Sequence, residues 1–451
     1  MRERAGRFGI AVAVAAAFAI SLAGGVSAAS QWAIVAGVVG AAGDTPGLLD
    51  ATTCTGTTCW AVGSAEADIA HPTPPLIMSN SGDGWTVATV QGPASVNTFN
   101  RLNAITCVDA GDCWAVGVGD NGTTLIERYA NGAWAYQPSP NPDGTEPELF
   151  GVSCADLTHC WAVGSYQLAD NSSQTLIEQY DGTAWTIVGS PNSGNSVSNI
   201  LNGIACPGAH DCWAVGGAQS DTPLVEHYDG AAWVIDAKLS PSGPASGLQG
   251  VTCVSSSDCW AVGMHGTSYD SATQSLIEHY DGATWDAVSS PDPLGAPSGE
   301  NYLYGVTCDS SSECWAVGHS DYFVGAGWGW SLVERYTAST GWTVAGPDPA
   351  LSGEWFLGIG CGSSVCVAVG GDTVDIGVLI AETPLPPPSE GTVTGTSGNP
   401  PSAVGGSKAV AAPVPDTGAG AVSPWPLLLV GGGMVSAVLA RRMPRCNGRA
   451  S

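Results

Sequence analysis

Fourteen of the 15 cysteines fall into seven close pairs: Cys54–Cys59, Cys107–Cys113, Cys154–Cys160, Cys206–Cys212, Cys253–Cys259, Cys308–Cys314 and Cys361–Cys366. Pairs at this spacing either join as disulfides or hold a metal as thiolates. A zinc reading lacks ligands, because only His159 and His210 lie near a pair. A second recurring group is the glutamate of Leu-Ile-Glu-x-Tyr, at Glu127, Glu178, Glu226, Glu278 and Glu334, with Glu382 in the last unit. Carboxylates at equivalent positions of separate units stand apart instead of converging on a metal. Each is therefore expected to meet a backbone or indole N–H locally. The third group is aromatic. Tyr322, Phe323, Trp328 and Trp330 crowd the stretch from His319 to Trp330, with Tyr302, Tyr304, Trp355 and Phe356 in the adjoining inter-unit segments. Aromatics beside polar loops suit stacking on sugar rings or docking a protein, and equally suit folding back to cover an over-long loop.

The elements that must position these groups follow from one phrase. Cys-Trp-Ala-Val-Gly begins at Cys59, Cys113, Cys160, Cys212, Cys259 and Cys314, and the copy at Cys366 has Val367 in place of Trp. Around each copy four segments recur: Leu-x-Gly-Val-x-Cys, the phrase itself, Leu-Ile-Glu-x-Tyr, and Trp-x-x-Val. All are short, rich in β-branched and aromatic residues, and bounded by Gly, Asp, Asn, Ser or Pro, which are strand signals. Four strands in a unit of about 50 residues make a propeller blade, and kelch-type repeats have a similar length. The seventh unit stops after its third segment. The missing fourth appears at the other end of the array, where Gln31-Trp32-Ala33-Ile34-Val35 matches Trp185-Thr186-Ile187-Val188. The fold expected is therefore all-β, a seven-bladed propeller of four-stranded blades over 29–382. The N-terminal strand closes it, leaving no open sheet edge, and each blade carries one disulfide.

Within Trp-Ala-Val-Gly, alternation puts Trp and Val on one face, to fill the gap between blades. Ala and Gly lie on the other, to admit the neighbour. Asp181-Gly182, Asp229-Gly230, Asp281-Gly282 and Asn131-Gly132 are expected to turn tight hairpins. With the following Trp they resemble Asp-box turns, one residue short, a likeness that implies no activity.

Both ends read as export signals. Arg2, Arg4 and Arg7, an apolar run and Val26-Ser27-Ala28 form a signal peptide over 1–28,. Export makes the disulfide the expected state of every pair. At the other end a Pro/Gly/Ser/Thr-rich stalk at 383–413 leads to Val414-Pro415-Asp416-Thr417-Gly418. An apolar span at 419–440 and a basic tail at 441–451 follow,. That order resembles the LPXTG sorting signals of Gram-positive surface proteins, with Val414 where the pattern has Leu. The resemblance implies that a sortase cuts between Thr417 and Gly418, Pro415 belonging to the signal, and joins the body to the cell wall. A plain membrane anchor is the alternative. The chain as a whole resembles secreted propeller repeat proteins of actinobacterial type.

A net charge of −28 offers no basic footprint for nucleic acid or anionic lipid,. Such a charge is also expected to keep copies apart and the chain monomeric. No Gly-x-Ser-x-Gly elbow or metal-spaced histidine set occurs, and a sialidase-like site lacks its arginine cluster, so no cofactor, metal or catalytic residue is assigned. If the donated strand is outermost, staples and Asp-Gly turns share one face of the disc and the variable loops the other. The function expected is non-enzymatic binding of a glycan or protein through that variable face. Tyr302, Tyr304, Tyr322, Phe323, Trp328, Trp330 and Trp355 are the candidate contacts. The alternative is an extracellular carbohydrate-active enzyme using loop carboxylates there.

Overall fold

The structure, a computed structural model, describes residues 32–35, 47–65, 75–90, 100–119, 122–194, 198–218, 222–236, 246–266, 273–292, 299–322, 330–346, 354–372 and 378–385. The leader, the stalk beyond Leu385, Pro415, Thr417, Gly418 and the segments 419–440 and 441–451 lie outside the described residues. So do Phe323 and Trp328.

Alternating β-branched and aromatic segments leave no helical period, and no helix occurs among the described residues. The strands form seven four-stranded antiparallel sheets. Blade 3 is representative, with Thr145–Asp156 innermost, then His159–Gln167, Ser173–Tyr180 and Trp185–Val188 outermost. Blades 1, 2, 4, 5 and 6 occupy 47–87, 101–136, 199–235, 246–288 and 299–346. Blade 7 takes three strands from 354–384, and its outer strand is Ala33–Ile34, antiparallel to the strand that carries Glu382. The ring closes where the inner strand of blade 7 meets that of blade 1. A Cβ on Gly358 would lie 2.7 Å from Ala51 Cα, and Ser363 N–H donates to Gly56 O at 2.9 Å.

All seven disulfides are formed, each with Cα atoms 4.0–4.1 Å apart at the turn between the first and second strands. In the loop-entropy account so short a loop stabilises by about 2 kcal/mol. The turn between the third and fourth strands packs on this one. A Cβ on Gly182, at φ +91°, would lie 2.9 Å from the Thr158 side chain, so glycine lets the two turns of blade 3 interlock,. Of the four turns expected to be tight, Asn131-Gly132, both at positive φ, is a two-residue turn. The expected tight turns at Asp181, Asp229 and Asp281 are four-residue loops, because the aspartate caps two following N–H groups, as Asp181 Oδ1 does for Thr183 and Ala184,.

The Trp of each phrase fills the inter-blade gap as expected. Trp114 of blade 2 meets Tyr180 and Trp185 of blade 3 at centroid distances of 4.7 and 5.3 Å, and Trp161, Trp213 and Trp260 repeat this one blade on. Trp32 stands edge-on to Trp315 at 5.6 Å, as the outer tryptophan of blade 7. The glycine of the phrase has a different role from the one expected. A Cβ on Gly216 would fall 2.0 Å from Ile200 O in its own blade, because the first strand bulges between Leu201 and Gly203,. The glycine that admits the neighbour is that of Leu-x-Gly: a Cβ on Gly203 would lie 3.0 Å from Gln249 O of blade 5.

Candidate functional site

Inner strands run from the variable face toward the staples. The residue before each buried Leu or Phe, and the bulge residue after it, therefore sit at the axial mouth on the face opposite the disulfides. Five consecutive blades, 6, 7, 1, 2 and 3, place aromatic or charged groups there.

Blade 6 contributes Tyr302 and Tyr304, whose rings lie parallel within 9° at 6.3 Å. His319, the cross-strand partner of Tyr302, stacks on both at 4.7 and 5.5 Å. Trp355 of blade 7 approaches His319 at 6.3 Å, tilted by 59°. The four rings are half-buried, and Trp355 Nε1 is buried without a hydrogen-bond partner among the described residues. Burial pushes His319 down to about 4, so its imidazole is neutral at physiological pH,. Neutral flat rings with edges of mixed polarity suit a ligand that presents C–H faces and hydroxyls.

The polar part of the arc spans blades 1 to 3. Arg101 Nε donates to Asp50 Oδ2 at 2.8 Å while Nη2 reaches Oδ1, a bidentate pair between inner strands,. Asn103 Nδ2 donates to Leu149 O at 2.8 Å and to Glu148 Oε1 at 3.1 Å. Burial pushes Asp50 up and Arg101 opposes it. Desolvation works against charge on Arg101, and Asp50 outweighs it, holding the guanidinium above its ordinary value. Burial also pushes Glu148 up, with Arg101 and Asn103 opposing. One cation thus neutralises one carboxylate, and Glu148 is biased toward its protonated form.

Of the seven residues expected to form the site, Tyr302, Tyr304 and Trp355 come together. Their location corrects the expectation, since they lie in the inner strands Gly299–Ser310 and Glu354–Cys361 and not in inter-blade loops. Phe356 is fully buried in the core, in the place Leu holds in other blades. Trp330 begins the third strand of blade 6, opposite Ser320. Tyr322 ends the second strand, and its side chain is outside the described set, as are Phe323 and Trp328. Sequence reasoning missed Asp50, Arg101, Asn103 and Glu148, whose signal was that they break the apolar pattern beside Leu-x-Gly.

The repeated glutamates are structural, with partners other than those expected. Glu178, Glu226 and Glu334 accept from the hydroxyls of Ser139, Ser190 and Ser290 at 2.5, 2.9 and 2.9 Å, each serine lying five residues after the preceding blade's outer Trp. Glu127 and Glu278 have no hydrogen-bond partner among the described residues. The serine position before Glu127 is Val90; before Glu278 it is Lys238, outside the described residues. Burial pushes Glu127, Glu226 and Glu334 up to about 8 and Glu178 and Glu278 to about 7. Glu382 is not their equivalent: it lies opposite Val367, whereas Glu178 lies opposite Ala162, and Ala381 takes the glutamate position in blade 7. No group of three or more potential metal ligands occurs among the described residues.

No protein-family model and no curated protein matches the chain. Solved structures similar to it include YCF48 bound to a D1 peptide, 14% identical, TM-score 0.45, covering 75% of this chain and 94% of that one. A second is the Aleuria aurantia lectin in complex with Fucα1-6GlcNAc, 12% identical, TM-score 0.43, covering 68% and 99%. A third is the GH74 xyloglucanase from Xanthomonas campestris, 11% identical, TM-score 0.43, covering 72% and 51%. These likenesses concern the overall fold alone. By its own topology the chain is an all-β seven-bladed propeller with one disulfide per blade.

Proposed function

We propose that this propeller is a non-enzymatic binding module, displayed outside the cell, that takes a glycan at the axial mouth. The stacked cluster of Tyr302, Tyr304, His319 and Trp355 carries this reading. It offers sugar C–H faces a platform, and the charged arc from Asp50 to Glu148 lies in the adjoining blades. The disulfides support an oxidising, extracellular setting, and the order of stalk, Val414–Gly418, apolar span and basic tail supports surface anchoring.

A glycan array followed by calorimetry on residues 29–390 tests the reading. Trp355→Ala and Tyr304→Ala are expected to weaken binding at least tenfold with the fold retained. Unchanged affinity would remove the site. Turnover of a bound glycan, lost in Glu148→Gln, would replace the reading with the enzyme alternative.

A further inference from the structure

Each second-strand tryptophan has a cross-strand neighbour on the third strand, and in four blades that neighbour is Arg or His paired with the acid just before the Cys. Arg128 lies over Trp114 at 4.7 Å and pairs with Asp112 at 2.5 Å; Arg335 lies over Trp315 at 5.1 Å and pairs with Glu313 at 2.7 Å. His227 stacks on Trp213 and His279 on Trp260, both at 4.1 Å, with Asp211 and Asp258 as partners at 2.8 and 2.9 Å. The Arg128 guanidinium also donates to Tyr180 Oη of the next blade at 3.2 Å. These caps sit where two blades meet, and in blades 2 and 6 the cap is a guanidinium held against an aromatic wall,.

Blades 1 and 3 break the pattern: in blade 3 Gln179 stands opposite Trp161 and His159 takes the acid's place, and blade 1 departs further. Ser79 stands opposite Trp60, and Thr58 stands in the acid's place. Beside the uncapped ring lies a cavity of about 350 Å³, walled by Trp60, Tyr129 and Trp134 and edged by Ala88, Thr89 and Gly132. Trp60 is 6% exposed, where Trp114 is 0%. Tyr129 is the counterpart of Tyr180, whose hydroxyl accepts from Arg128 one interface further on.

We propose that this cavity between blades 1 and 2 binds a cationic side chain of a partner protein. A guanidinium there would lie among the rings of Trp60, Tyr129 and Trp134, as the Arg128 guanidinium lies against Trp114 and Tyr180. The chain's own interfaces show that this aromatic geometry accepts guanidinium and imidazole rings. The net charge of −28 draws cations to the surface,. Because Thr58 supplies no counter-charge, the site suits a ligand still partly in water, for which a cation over a tryptophan face is worth about 0.5–1 kcal/mol.

The test is ¹⁹F NMR of protein labelled with 5-fluorotryptophan, the Trp60 resonance being assigned with Trp60→Phe. The probes are acetyl-arginine amide and its neutral isostere acetyl-citrulline amide. The Trp60 signal is expected to shift saturably with the arginine probe and roughly two- to fivefold more weakly with citrulline. The double variant Thr58→Asp/Ser79→Arg rebuilds in blade 1 the pair that blade 2 already folds with. It should keep the wild-type melting temperature and lose the response. An unmoved Trp60 signal, equal shifts with both probes, or a full response in the filled variant would overturn the proposal. Trp355→Ala should respond as wild type, which separates this site from the axial mouth.

Discussion

Glu127→Met should stabilise the propeller, and by more as the pH rises. Glu127 is fully buried with no partner for either oxygen among the described residues, and it lies opposite Ala115 where blades 1 and 2 meet. The interface packs Trp60, Val62 and Ile77 from one blade with Leu125 and Trp134 from the next. Burial raises its pKa from 4.5 to about 8, while in the unfolded chain the ordinary value holds. The unfolded state therefore releases its proton near pH 4.5 and the folded state keeps its own until about pH 8. Stability is full below pH 4.5 and falls across that window at about 1.4 kcal/mol per pH unit. By pH 7 the loss from this one side chain is roughly 3 kcal/mol. Methionine removes it, and blade 1 shows the shape is tolerated: Met78 occupies the same register opposite Ala61 and is 1% exposed. Unfolding entropy of about 2.1 cal/mol/K per residue over roughly 350 residues turns 3 kcal/mol into a rise of about 4 °C. Scanning calorimetry at pH 4.5 and pH 8 measures it. A variant that melts lower than wild type at pH 7, or gains equally at both pH values, would show that Glu127 is ionised and paired in the folded state.

Three other outcomes follow from the same contacts. Ser190→Ala leaves the buried Glu226 without its hydroxyl donor and should cost about 1–3 kcal/mol in guanidinium unfolding, whereas a neutral result would mean water replaces it freely. Gly216→Ala, whose Cβ would meet Ile200 O at 2.0 Å, should cost more than about 3 kcal/mol or abolish folding,. Gly217→Ala, with nothing within 4 Å of its Cβ, should stay within about 0.5 kcal/mol, and equal effects of the two would deny the bulge its role,. Glu382→Ala removes the acceptor of Trp85 Nε1 at 2.8 Å and of Asn80 Nδ2 at 3.3 Å, and should lower the melting temperature by one or two degrees at the seam, an unchanged value counting against it,.

What the residues revealed in advance was whatever the repeat repeats. Cysteine spacing, the phrase around it and the displaced copy at Trp32 carried the ring, the staples and the closure, because a local pattern enforced seven times has few ways to pack. The axial mouth was less legible. Tyr302, Tyr304 and Trp355 were picked out as aromatics, and their place in strands was not, since the inner strand of blade 6 extends four residues upstream of Leu303. Asp50, Arg101 and Glu148 sit in three different units, and nothing local in sequence links residues joined only by the rotation of one blade onto the next. The caps over tryptophan were available and overlooked: acid before Cys and Arg or His before Tyr occur together in blades 2, 4, 5 and 6.

The departures from the repeat carry a further message, for they complement one another across the closing seam. Blade 7 has Val367 where its siblings have Trp, and blade 1 has Asn80 where they have Tyr, so the seam packs Trp85 and Met78 against Val367, Val369 and Ile380. The glutamate position that faces the seam is apolar, Met78 of blade 1, and no serine is called for. In its place Glu382 reaches across from the Trp-facing side of blade 7 to the indole of Trp85 and the amide of Asn80. A Trp from any other blade set against blade 1 would meet Asn80 in place of the Tyr it stacks on. Blade 7 set against any other blade would offer Val where an aromatic gap waits. Seven near-identical units can slip by one blade at little cost, whereas this mismatch penalises every closure except the one between blades 7 and 1. The irregular blades are thus the part of the sequence that fixes the number of units in the ring.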